Sequence, residues 1–525
     1  MPTIKIGDNS IKWAMKHLLE QRDTDIFPFP IELNIINDEI DYVSTKLRNK
    51  GISEYKWHYA RRFIMPKDLL SFRIVTQLDP IDSLFLAALI KEFGHIIEDS
   101  RVPAEDKVVF GNRYEPSADG RLFKSDRQWR KYWLRNQELI NSHKIALKVD
   151  IADFYNQIYH HNIENALIQI GGGNQLMNSI KNFIGKITYK VSRGIPVGPH
   201  STHLLAELVL ISIDNELLNK RIRYTRYMDD FVFYCDSELE GKIILNKFAQ
   251  ILDKQGRLTL QRHKTEMYSE TEFKDICKSK LDEKTLDETE KEILKIVKDH
   301  LEEDEDEYSD KIKWEDLTDQ QKDYFQELYY DKLFNKYLDN SEGPDYSKLR
   351  WLFRRLTQIG VPFAIQKTLE YFDDLIPVLP DICEYFIAAS PNLEDDLVVT
   401  GEEIIDILES EIVQSNEFVQ ISLIDLFVNN IELNHFHLFD DLFSNSSEFV
   451  KRKIILLAYE LNNVAWIRGK KEQYDDLGKW AKRALLIAFS KLPRDERRFI
   501  YNSISEDIGE SQILEHTIIR WGKKR

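Results

Sequence analysis

The sequence predicts an α+β domain followed by an all-α domain. Residues 1–270 place short runs of branched apolar residues between amphipathic helical segments, whereas residues 321–525 show helical periodicity without convincing strands. The chain has 525 residues, and a single hydrophobic core stops growing at about 250–300 residues. We therefore predict an α+β domain over 1–270, a charged helical extension or linker over 271–320, and an α-helical domain over 321–525.

Two apolar runs in the first domain have the length of buried strands, residues 145–149 and 231–235. Around them, residues 83–97 and 203–218 repeat apolar side chains at spacings of three and four residues, which is the period of an amphipathic helix. This mixture of periods gives the first domain its α+β assignment.

The remainder of the chain changes in composition. Residues 271–320 are rich in Lys, Glu and Asp and include the acidic tract 302–307, as expected for a solvated helix or linker. The helical segments that follow are 348–360, 381–389, 402–413, 418–429, 447–462 and 475–492. Helices of this length with short polar turns are typical of stacked helical repeats. An irregular helical bundle is the alternative, because the sequence has no strict internal period.

Charge and cysteine content limit the class of protein. The formal net charge of −17 argues against an anionic partner, but residues 121–135 are locally basic and aromatic. Three cysteines are too few for a disulfide framework and fit a reducing cytosol. The N-terminus has no apolar signal core, and no stretch offers the ~18 apolar residues of a membrane span. We predict a cytoplasmic protein without a membrane partner.

Two adjacent aspartates, Asp229 and Asp230, precede the apolar run 231–234. Because side chains alternate along a strand, neighbouring carboxylates serve one site only when they lie at the tight turn of a hairpin. Two carboxylates in an apolar setting repel each other and cost free energy to desolvate unless a cation compensates. The pattern therefore predicts a hairpin turn with a metal site.

A third carboxylate, Asp150, ends the apolar run 145–149 and can meet the hairpin from a neighbouring strand. Asp150 and Asp229 can bridge two Mg²⁺ ions about 3.5–4 Å apart, the arrangement that stabilises the attacking and leaving oxygens in phosphoryl transfer. Singly, an Asp doublet is a common turn and a strand-terminal Asp is a common helix N-cap. The two motifs together favour the metal site.

At these two motifs the sequence resembles the reverse-transcriptase family. Residues 227–230 are similar to the family's Tyr-X-Asp-Asp box, and residues 149–155 are similar to its first-aspartate motif. The resemblance implies that residues 1–270 form the fingers and palm of a right-hand polymerase. The metal ligands that it implies are Asp150, Ile151, Asp229 and Asp230.

The same resemblance implies a cofactor, a substrate and a product. Mg²⁺ is the implied metal, with Mn²⁺ as the alternative, and deoxynucleoside triphosphates (dNTPs) are the implied substrates. Tyr155, five positions after Asp150, corresponds to the aromatic gate that packs against the nucleotide sugar and disfavours a 2′-OH. A DNA product is therefore implied.

Between the two motifs lies a turn at which the backbone can approach a base pair, formed by Pro196, Val197 and Gly198. Most reverse transcriptases carry Gln where Val197 stands. The form Gly-Ile-Pro-Val-Gly-Pro, together with residues 27–32 and 109–114, is similar to the abortive-infection and unknown-group reverse transcriptases of bacteria. That resemblance implies a role in defence against phage, an α-helical C-terminal domain and, by analogy, a homo-oligomer.

Four cations are candidates for handling phosphate. Arg side chains bind phosphate oxygens in a fork and Lys neutralises charge, so we predict that Lys67, Arg73 and Arg113 bind the triphosphate from the fingers. Lys264 matches the family's basic residue after the catalytic hairpin and is the candidate general acid for the leaving pyrophosphate. Surface cations without such a role are the alternative.

Three functions fit the sequence. The leading hypothesis is a DNA polymerase of anti-phage defence that works without a conventional template and is primed by a protein hydroxyl. The first alternative is templated copying of a dedicated noncoding RNA. The second is a nucleotide-gated binding scaffold in which catalysis is dispensable.

Overall fold

The computed structural model describes residues 2–24, 26–124, 127–281, 288–300, 313–339, 343–393, 397–509 and 511–525. Its internal contacts divide the chain into two compact units. The first comprises Met1–Asp25, Phe29–Arg62 and Thr76–Thr285, and the second comprises Ile26–Pro28, Phe63–Val75 and Leu286–Arg525. Residues 271–320, predicted as a linker, are shared between the two units, and their acidic tract 302–307 lies outside the described residues.

The first unit mixes strands with helices, as an α+β fold does. The strands are β1 (Arg61–Pro66), β2 (Phe72–Gln77), β3 (Val109–Phe110), β4 (Ile145–Asp150), β5 (Tyr224–Tyr227), β6 (Asp230–Cys235) and β7 (Glu266–Ser269). The helices are α1 (Asp8–Glu20), α2 (Glu32–Asp38), α3 (Ile40–Arg48), α4 (Pro80–Glu98), α5 (Gln128–Ile140), α6 (Phe154–Gln157), α7 (His160–Gln169), α8 (Gly173–Ile187), α9 (His200–Asn219), α10 (Glu238–Gly256) and α11 (Glu270–Leu281). Strands β1 and β2 pair as a hairpin, most of which, Phe63–Val75, belongs to the second unit.

The central sheet has the strand order β3-β5-β6-β4-β7. Strand β3 runs parallel to β5, and the pairs β5–β6, β6–β4 and β4–β7 are antiparallel. The two predicted strands, 145–149 and 231–235, are therefore β4 and β6, which are neighbours in the middle of the sheet. Their central place explains why both are mostly apolar, because both faces of the sheet are covered.

One face of the sheet packs against α5 and α11. Val232 and Tyr234 of β6 join a buried cluster with Tyr132 and Trp133 of α5 and Phe273 of α11. Because side chains alternate along a strand, this is also the face of Asp230. The apolar cluster thus supports the end of β6 that carries a carboxylate.

The opposite face packs against α9 and α10. The rings of Phe231 and Phe233 each lie 4.8 Å from the ring of Phe248 on α10, measured between centroids. On the α9 side, the Tyr224 hydroxyl donates a hydrogen bond of 2.8 Å to Asp214. The sheet is therefore buried between two helical layers, and only its strand ends remain for a site.

The second unit is dominated by helices. They are α12 (Glu288–Asp299), α13 (Asp319–Leu328), α14 (Asn335–Leu338), α15 (Tyr346–Ile359), α16 (Ile365–Glu370), α17 (Phe372–Leu375), α18 (Leu379–Ala389), α19 (Leu397–Glu409), α20 (Glu411–Gln414), α21 (Glu417–Asn429), α22 (Phe436–Asn445), α23 (Glu448–Glu460), α24 (Val464–Gly469), α25 (Lys479–Ala488), α26 (Arg494–Asp507) and α27 (Ile513–Lys524). Among the described residues after β7 no strand occurs.

Six of these helices form a continuous row. Helix α15 packs on α18, α18 on α21, α21 on α23, α23 on α25 and α25 on α27. Their starting residues recur at intervals of ~30–40 residues, which is the repeat length of helical solenoids. Within the described ranges, none of the helices has the combined length and apolar character needed to cross a membrane.

Candidate active site

The hairpin of β5 and β6 carries two of the predicted site residues. Tyr227 and Asp230 are register partners at its end, so Met228 and Asp229 form the turn. Met228 has a φ of +55°, a left-handed conformation that a two-residue hairpin turn requires. The predicted hairpin is present, and both carboxylates lie at its tip.

Strand β4 brings the third carboxylate to the same end of the sheet. Asp150 is the register partner of Asp230 on the neighbouring strand β6. Beyond Asp150 the chain stays extended, since the Asp150 carbonyl accepts a hydrogen bond of 2.8 Å from the Gln261 amide and Ile151 forms a bridge with Leu260. Asp150, Asp229 and Asp230 therefore meet at one end of β4, β5 and β6.

Lys264 also reaches this cluster. It ends a short helical turn, Arg262–Lys264, which immediately precedes β7. Its ammonium group forms an ion pair and a hydrogen bond with the Asp150 carboxylate. Although half of the lysine side chain is exposed, the Asp150 side chain is only 8% exposed. The Lys264 ammonium therefore lies on the solvent-exposed side of the carboxylate cluster.

The cluster carries more negative charge than its surroundings compensate. Burial, followed by repulsion from Asp150 and Asp230, raises the pKa of Asp229 to about 7. Burial also raises the pKa of Asp230, although Lys148 opposes the effect. Burial alone would lower the pKa of Lys264, but the contact with Asp150 outweighs it and raises that pKa. Additional positive charge at this place would therefore be stabilising.

The chemistry of these side chains fits a hard divalent cation, because carboxylate oxygens are the ligands that Mg²⁺ and Mn²⁺ prefer. Among the described residues, no three His, Cys, Asp or Glu side chains are grouped closely enough to hold a metal ion as they stand. In the present arrangement the Asp150 carboxylate forms an ion pair with the Lys264 ammonium. Asp150, Asp229 and Asp230 could hold a metal once their side chains turn towards it.

A buried arginine forms a hydrogen bond with the turn of the hairpin. Arg226, at the end of β5, is fully buried, and its guanidinium binds both carboxylate oxygens of Asp214 and lies 2.9 Å from Glu207. Its remaining nitrogen donates a hydrogen bond of 3.1 Å to the carbonyl of Met228 in the turn. Burial alone would lower the pKa of Arg226, but Asp214 and Glu207 outweigh it and raise that pKa. The arginine therefore stays charged and fixes the turn.

The same ion network extends to Arg113, one of the predicted triphosphate ligands. Glu207 pairs with Arg101 at 2.9 Å, and Arg101 and Arg113 share the carboxylate of Glu98. Arg113 is 4% exposed and also donates hydrogen bonds to the carbonyls of Val102 and Val109. The structure therefore does not place Arg113 where a triphosphate could contact it. Its guanidinium instead links Glu98 to two backbone carbonyls inside the unit.

The predicted turn at 196–198 is fixed by backbone hydrogen bonds. The Pro196 carbonyl accepts a bond of 2.9 Å from the Thr202 hydroxyl, and the Val197 carbonyl accepts one of 2.8 Å from the Thr76 amide. Gly198 has a φ of +133°, and a Cβ there would lie 2.9 Å from the Thr76 carbonyl oxygen. Only glycine fits this position.

The candidate gate Tyr155 lies on α6, directly after β4. Its side chain is half-buried. Its carbonyl accepts a hydrogen bond of 3.0 Å from the Ile195 amide, and its hydroxyl lies 2.5 Å from Nδ1 of His203. Tyr155 is thus joined to the 196–198 turn through residue 195 and to α9 through His203.

The two remaining candidates, Lys67 and Arg73, lie on the exposed tip of the β1–β2 hairpin, in the second unit. The Lys67 amide donates a hydrogen bond of 2.9 Å to the Ser71 carbonyl, which closes the hairpin. Within that unit, burial lowers the pKa of Arg350, and the charge of Arg73 adds to the effect. Their binding of a triphosphate stays a prediction.

Sequence reasoning missed several residues around the site. Lys148 carried a usable signal, because the alternation of side chains places it on the same face of β4 as Asp150. Arg226 lies in the same strand–turn motif as Asp229. The partners Glu207, Asp214 and His203 had no such signal. They become neighbours of the hairpin and of Tyr155 only through the packing of α9.

Comparison with known proteins places this site within a known domain. Residues 106–313 match the family model described as reverse transcriptase (RNA-dependent DNA polymerase). No curated protein matches the chain. Among solved structures, apo telomerase from Candida tropicalis is 10% identical with a TM-score of 0.34, and the match covers 74% of this chain and 74% of that one. Telomerase from Candida albicans, in complex with a TWJ fragment of telomeric RNA, is 12% identical with a TM-score of 0.32 and coverages of 75% and 71%. The family match covers the sheet that carries Asp150, Asp229 and Asp230, so residues 106–313 are similar to a reverse transcriptase domain.

Proposed function

We propose that the protein is a divalent-metal-dependent DNA polymerase of the reverse-transcriptase type. The observation that carries the proposal is the meeting of Asp150, Asp229 and Asp230 at one end of β4, β5 and β6, inside the matched domain. Their carboxylates, with the backbone carbonyl of Ile151, would hold Mg²⁺ or Mn²⁺. When bound, such a metal pair supplies charge stabilisation to the attacking and leaving oxygens of phosphoryl transfer.

The residues of the chain then have separate tasks. Lys264 holds a proton at its Nζ beside Asp150, and we assign it the transfer of that proton to the leaving pyrophosphate. The ring of Tyr155 excludes a 2′-OH, so dNTPs are the substrates and DNA is the product. Pro196, Val197 and Gly198 present a rigid backbone to the nascent base pair.

We also propose that Lys67 and Arg73 bind the triphosphate, because both are exposed cations and such side chains bind phosphate oxygens. We leave Arg113 out of the site, since its guanidinium is engaged by Glu98 and by two backbone carbonyls.

The experiment compares incorporation of labelled dNTPs by the purified wild-type protein and by Asp229→Asn, with Mg²⁺ or Mn²⁺ and with varied templates and primers. We expect the variant to be slower by roughly 1,000-fold or more, because several kcal/mol of transition-state stabilisation depend on the metal site. Asp236→Asn is the matched control, since Asp236 directly follows the other end of β6 and is exposed. Equal incorporation by wild type and Asp229→Asn, or none by wild type, would contradict the proposal.

We further propose that this polymerase acts in anti-phage defence, without a conventional template and from a protein hydroxyl. The support is the resemblance of residues 193–201 to defence-associated reverse transcriptases, and Val197 in the position where Gln is usual. Copying of a dedicated noncoding RNA is the templated alternative. Sequencing of the nucleic acid that copurifies with the protein separates the two, because a unique complementary DNA indicates a template and random or homopolymeric DNA indicates none.

A protein-primed product would be covalently attached. A denaturing gel and a mass spectrum of the protein from cells, before and after nuclease, would then show added mass that the nuclease shortens. Unchanged phage protection by Asp229→Asn would instead favour the third hypothesis, a nucleotide-gated scaffold in which catalysis is dispensable. We expect the active protein to be a homo-oligomer, which sedimentation measurements test directly.

A further inference from the structure

The candidate gate residue lies on a short helical segment. Helix α6 spans only Phe154–Gln157, and it follows Asp153, whose φ is +46°. A single helical turn has little intrinsic stability, because nucleation costs more than one turn of hydrogen bonds returns. The orientation of the Tyr155 ring therefore depends on contacts beyond α6.

Two tertiary contacts supply that orientation. The Tyr155 carbonyl accepts a hydrogen bond from the Ile195 amide, which fixes the backbone, and the hydroxyl at the far end of the ring lies 2.5 Å from Nδ1 of His203. The two rings meet edge to face, with centroids 5.8 Å apart. The hydroxyl contact fixes the ring by its outer end.

The histidine is itself well placed to act as an anchor. It lies in the first turn of α9, a helix of 20 residues that is buried along most of its length. Its ring lies 6.3 Å from the ring of Phe123 and 6.2 Å from that of His200, measured between centroids. His203 is thus held on a rigid element that begins directly after the 196–198 turn.

We propose that His203 is a specificity-determining residue that positions the Tyr155 gate and thereby sets the preference for deoxyribose over ribose. The inference rests on the proposed function, in which Tyr155 faces the nucleotide sugar. A gate excludes a 2′-OH only while its ring stays in place, since a ring that rotates away leaves room for the hydroxyl. His203 acts through Tyr155 and is a positioning residue.

The test measures kcat/KM for dNTPs and for ribonucleoside triphosphates separately. We expect His203→Leu to lower the ratio of the two values by roughly two- to tenfold, the range that the loss of one hydrogen bond allows. His203→Asn should restore most of the ratio, because an Asn side-chain amide can reach the place of Nδ1. His161→Leu, an exposed histidine on α7, is the matched control and should leave the ratio unchanged.

A double-variant cycle separates positioning from general damage. Tyr155→Phe removes only the hydroxyl and should lower the ratio as much as His203→Leu does. In the Tyr155→Phe background, His203→Leu should then have no further effect, since the hydrogen bond is already absent. Tyr155→Phe keeps the ring, so it tests the idea even if His203→Leu folds poorly.

Three outcomes would overturn the inference. An unchanged ratio in both His203→Leu and Tyr155→Phe, with normal dNTP incorporation, would overturn it alone. The same would follow if the two substitutions had additive effects in the double variant. A wild-type protein that incorporates neither kind of nucleotide would overturn the proposed function, and this inference with it.

Discussion

Lys264 is the residue in which the charge balance of the site is most visible. Its ammonium lies on the Asp150 carboxylate, and that contact raises the pKa of the lysine although partial burial opposes it. The lysine therefore carries a proton throughout the physiological range. In the proposed function, this proton is the one that a general acid would donate to the leaving pyrophosphate.

We expect Lys264→Met to slow nucleotide incorporation by about 100-fold or more, the usual contribution of a general acid. The effect should appear in kcat more than in the KM for dNTPs, because the proton moves only in the transition state. Single-turnover incorporation measures it, with Lys254→Met, an exposed residue of α10, as control. Full activity of Lys264→Met would remove this lysine from the mechanism.

His17 gives the first unit a dependence on pH. The ring is buried, stacks on Trp13 and donates a hydrogen bond of 2.8 Å from Nδ1 to the Gly120 carbonyl. Burial, with a smaller contribution from the facing His200, lowers the pKa of His17 to about 4. The unfolded chain binds a proton near pH 6.5, whereas the folded unit does not until about pH 4. The contribution of neutral, buried His17 to the unfolding free energy is therefore complete above pH 6.5 and is lost as the pH falls towards 4.

Replacing His17 by a residue that does not titrate should make the unfolding free energy less dependent on pH below pH 7. Between pH 7 and pH 4.5 we expect the wild type to lose about 2–3 kcal/mol more unfolding free energy than His17→Asn, which retains a donor for Gly120. Urea unfolding at the two pH values, followed by tryptophan fluorescence, measures the difference. Equal losses in both proteins would show that His17 is not responsible.

At the scale of elements, the hairpin of β5 and β6 depends on α9 through buried charge. Arg226 binds Asp214 and Glu207 of that helix and holds the carbonyl of Met228 in the turn. When a buried arginine loses a carboxylate partner, its charge stays away from water but no longer gains the attraction of that carboxylate. The position of the turn that carries Asp229 is therefore set by a helix as well as by the strands.

We expect Glu207→Gln to lower the unfolding free energy of the first unit by about 3–5 kcal/mol, since it leaves Arg226 and Arg101 with one partner fewer. Glu216→Gln on the same helix is the matched control. It breaks only a partly exposed pair with Lys220, which contributes less than ~1 kcal/mol. Urea midpoints of the two variants decide the matter, and similar midpoints would contradict a structural role for the network.

The elements also show how far the sequence could predict the fold. Apolar periodicity located β4, β6 and α9 to within a few residues, because packing on both sides leaves a local pattern. It merged α19 and α20 into one segment, 402–413, although the chain leaves the helical conformation at Ser410. Strand β3 has two residues and pairs with β5 more than a hundred positions later, so no local pattern could reveal it.

The meeting of the three aspartates was predictable to the same degree, because their strand and turn positions can be read from the sequence. The burial of Arg113 was not predictable, because its carboxylate partner is known only from the folded chain. The anchor of Tyr155 could not be found either. A histidine near the start of an amphipathic helix has no property in sequence that singles it out.

At the scale of the whole molecule, the second unit is built from three separate pieces of chain. Phe63 of β1 is 4% exposed, and its ring contacts those of Phe418 and Phe449, with Phe27 nearby at 5.5 Å between centroids. The amide of Asn416 donates a hydrogen bond of 3.2 Å to the Ile64 carbonyl. Segments from the first seventh of the chain thus complete a core made mostly of helices.

We expect Phe63→Ala to destabilise the second unit by about 3–5 kcal/mol, the cost of removing a buried aromatic side chain. Phe72→Ala is the matched control, because Phe72 lies on the same hairpin and is 59% exposed. Differential scanning calorimetry of both variants compares the effects. A Phe63→Ala protein as stable as the control would show that this aromatic cluster contributes little.

Because this core combines stretches that are far apart in the sequence, its parts are synthesised at different times. A ribosome releases Phe27 and Phe63 early, but their aromatic neighbours Phe418 and Phe449 follow only about 350 residues later. At ~5–20 residues per second the two early side chains wait roughly 20–70 seconds for a partner. The core of the second unit therefore cannot be completed until residues 418–449 have been synthesised.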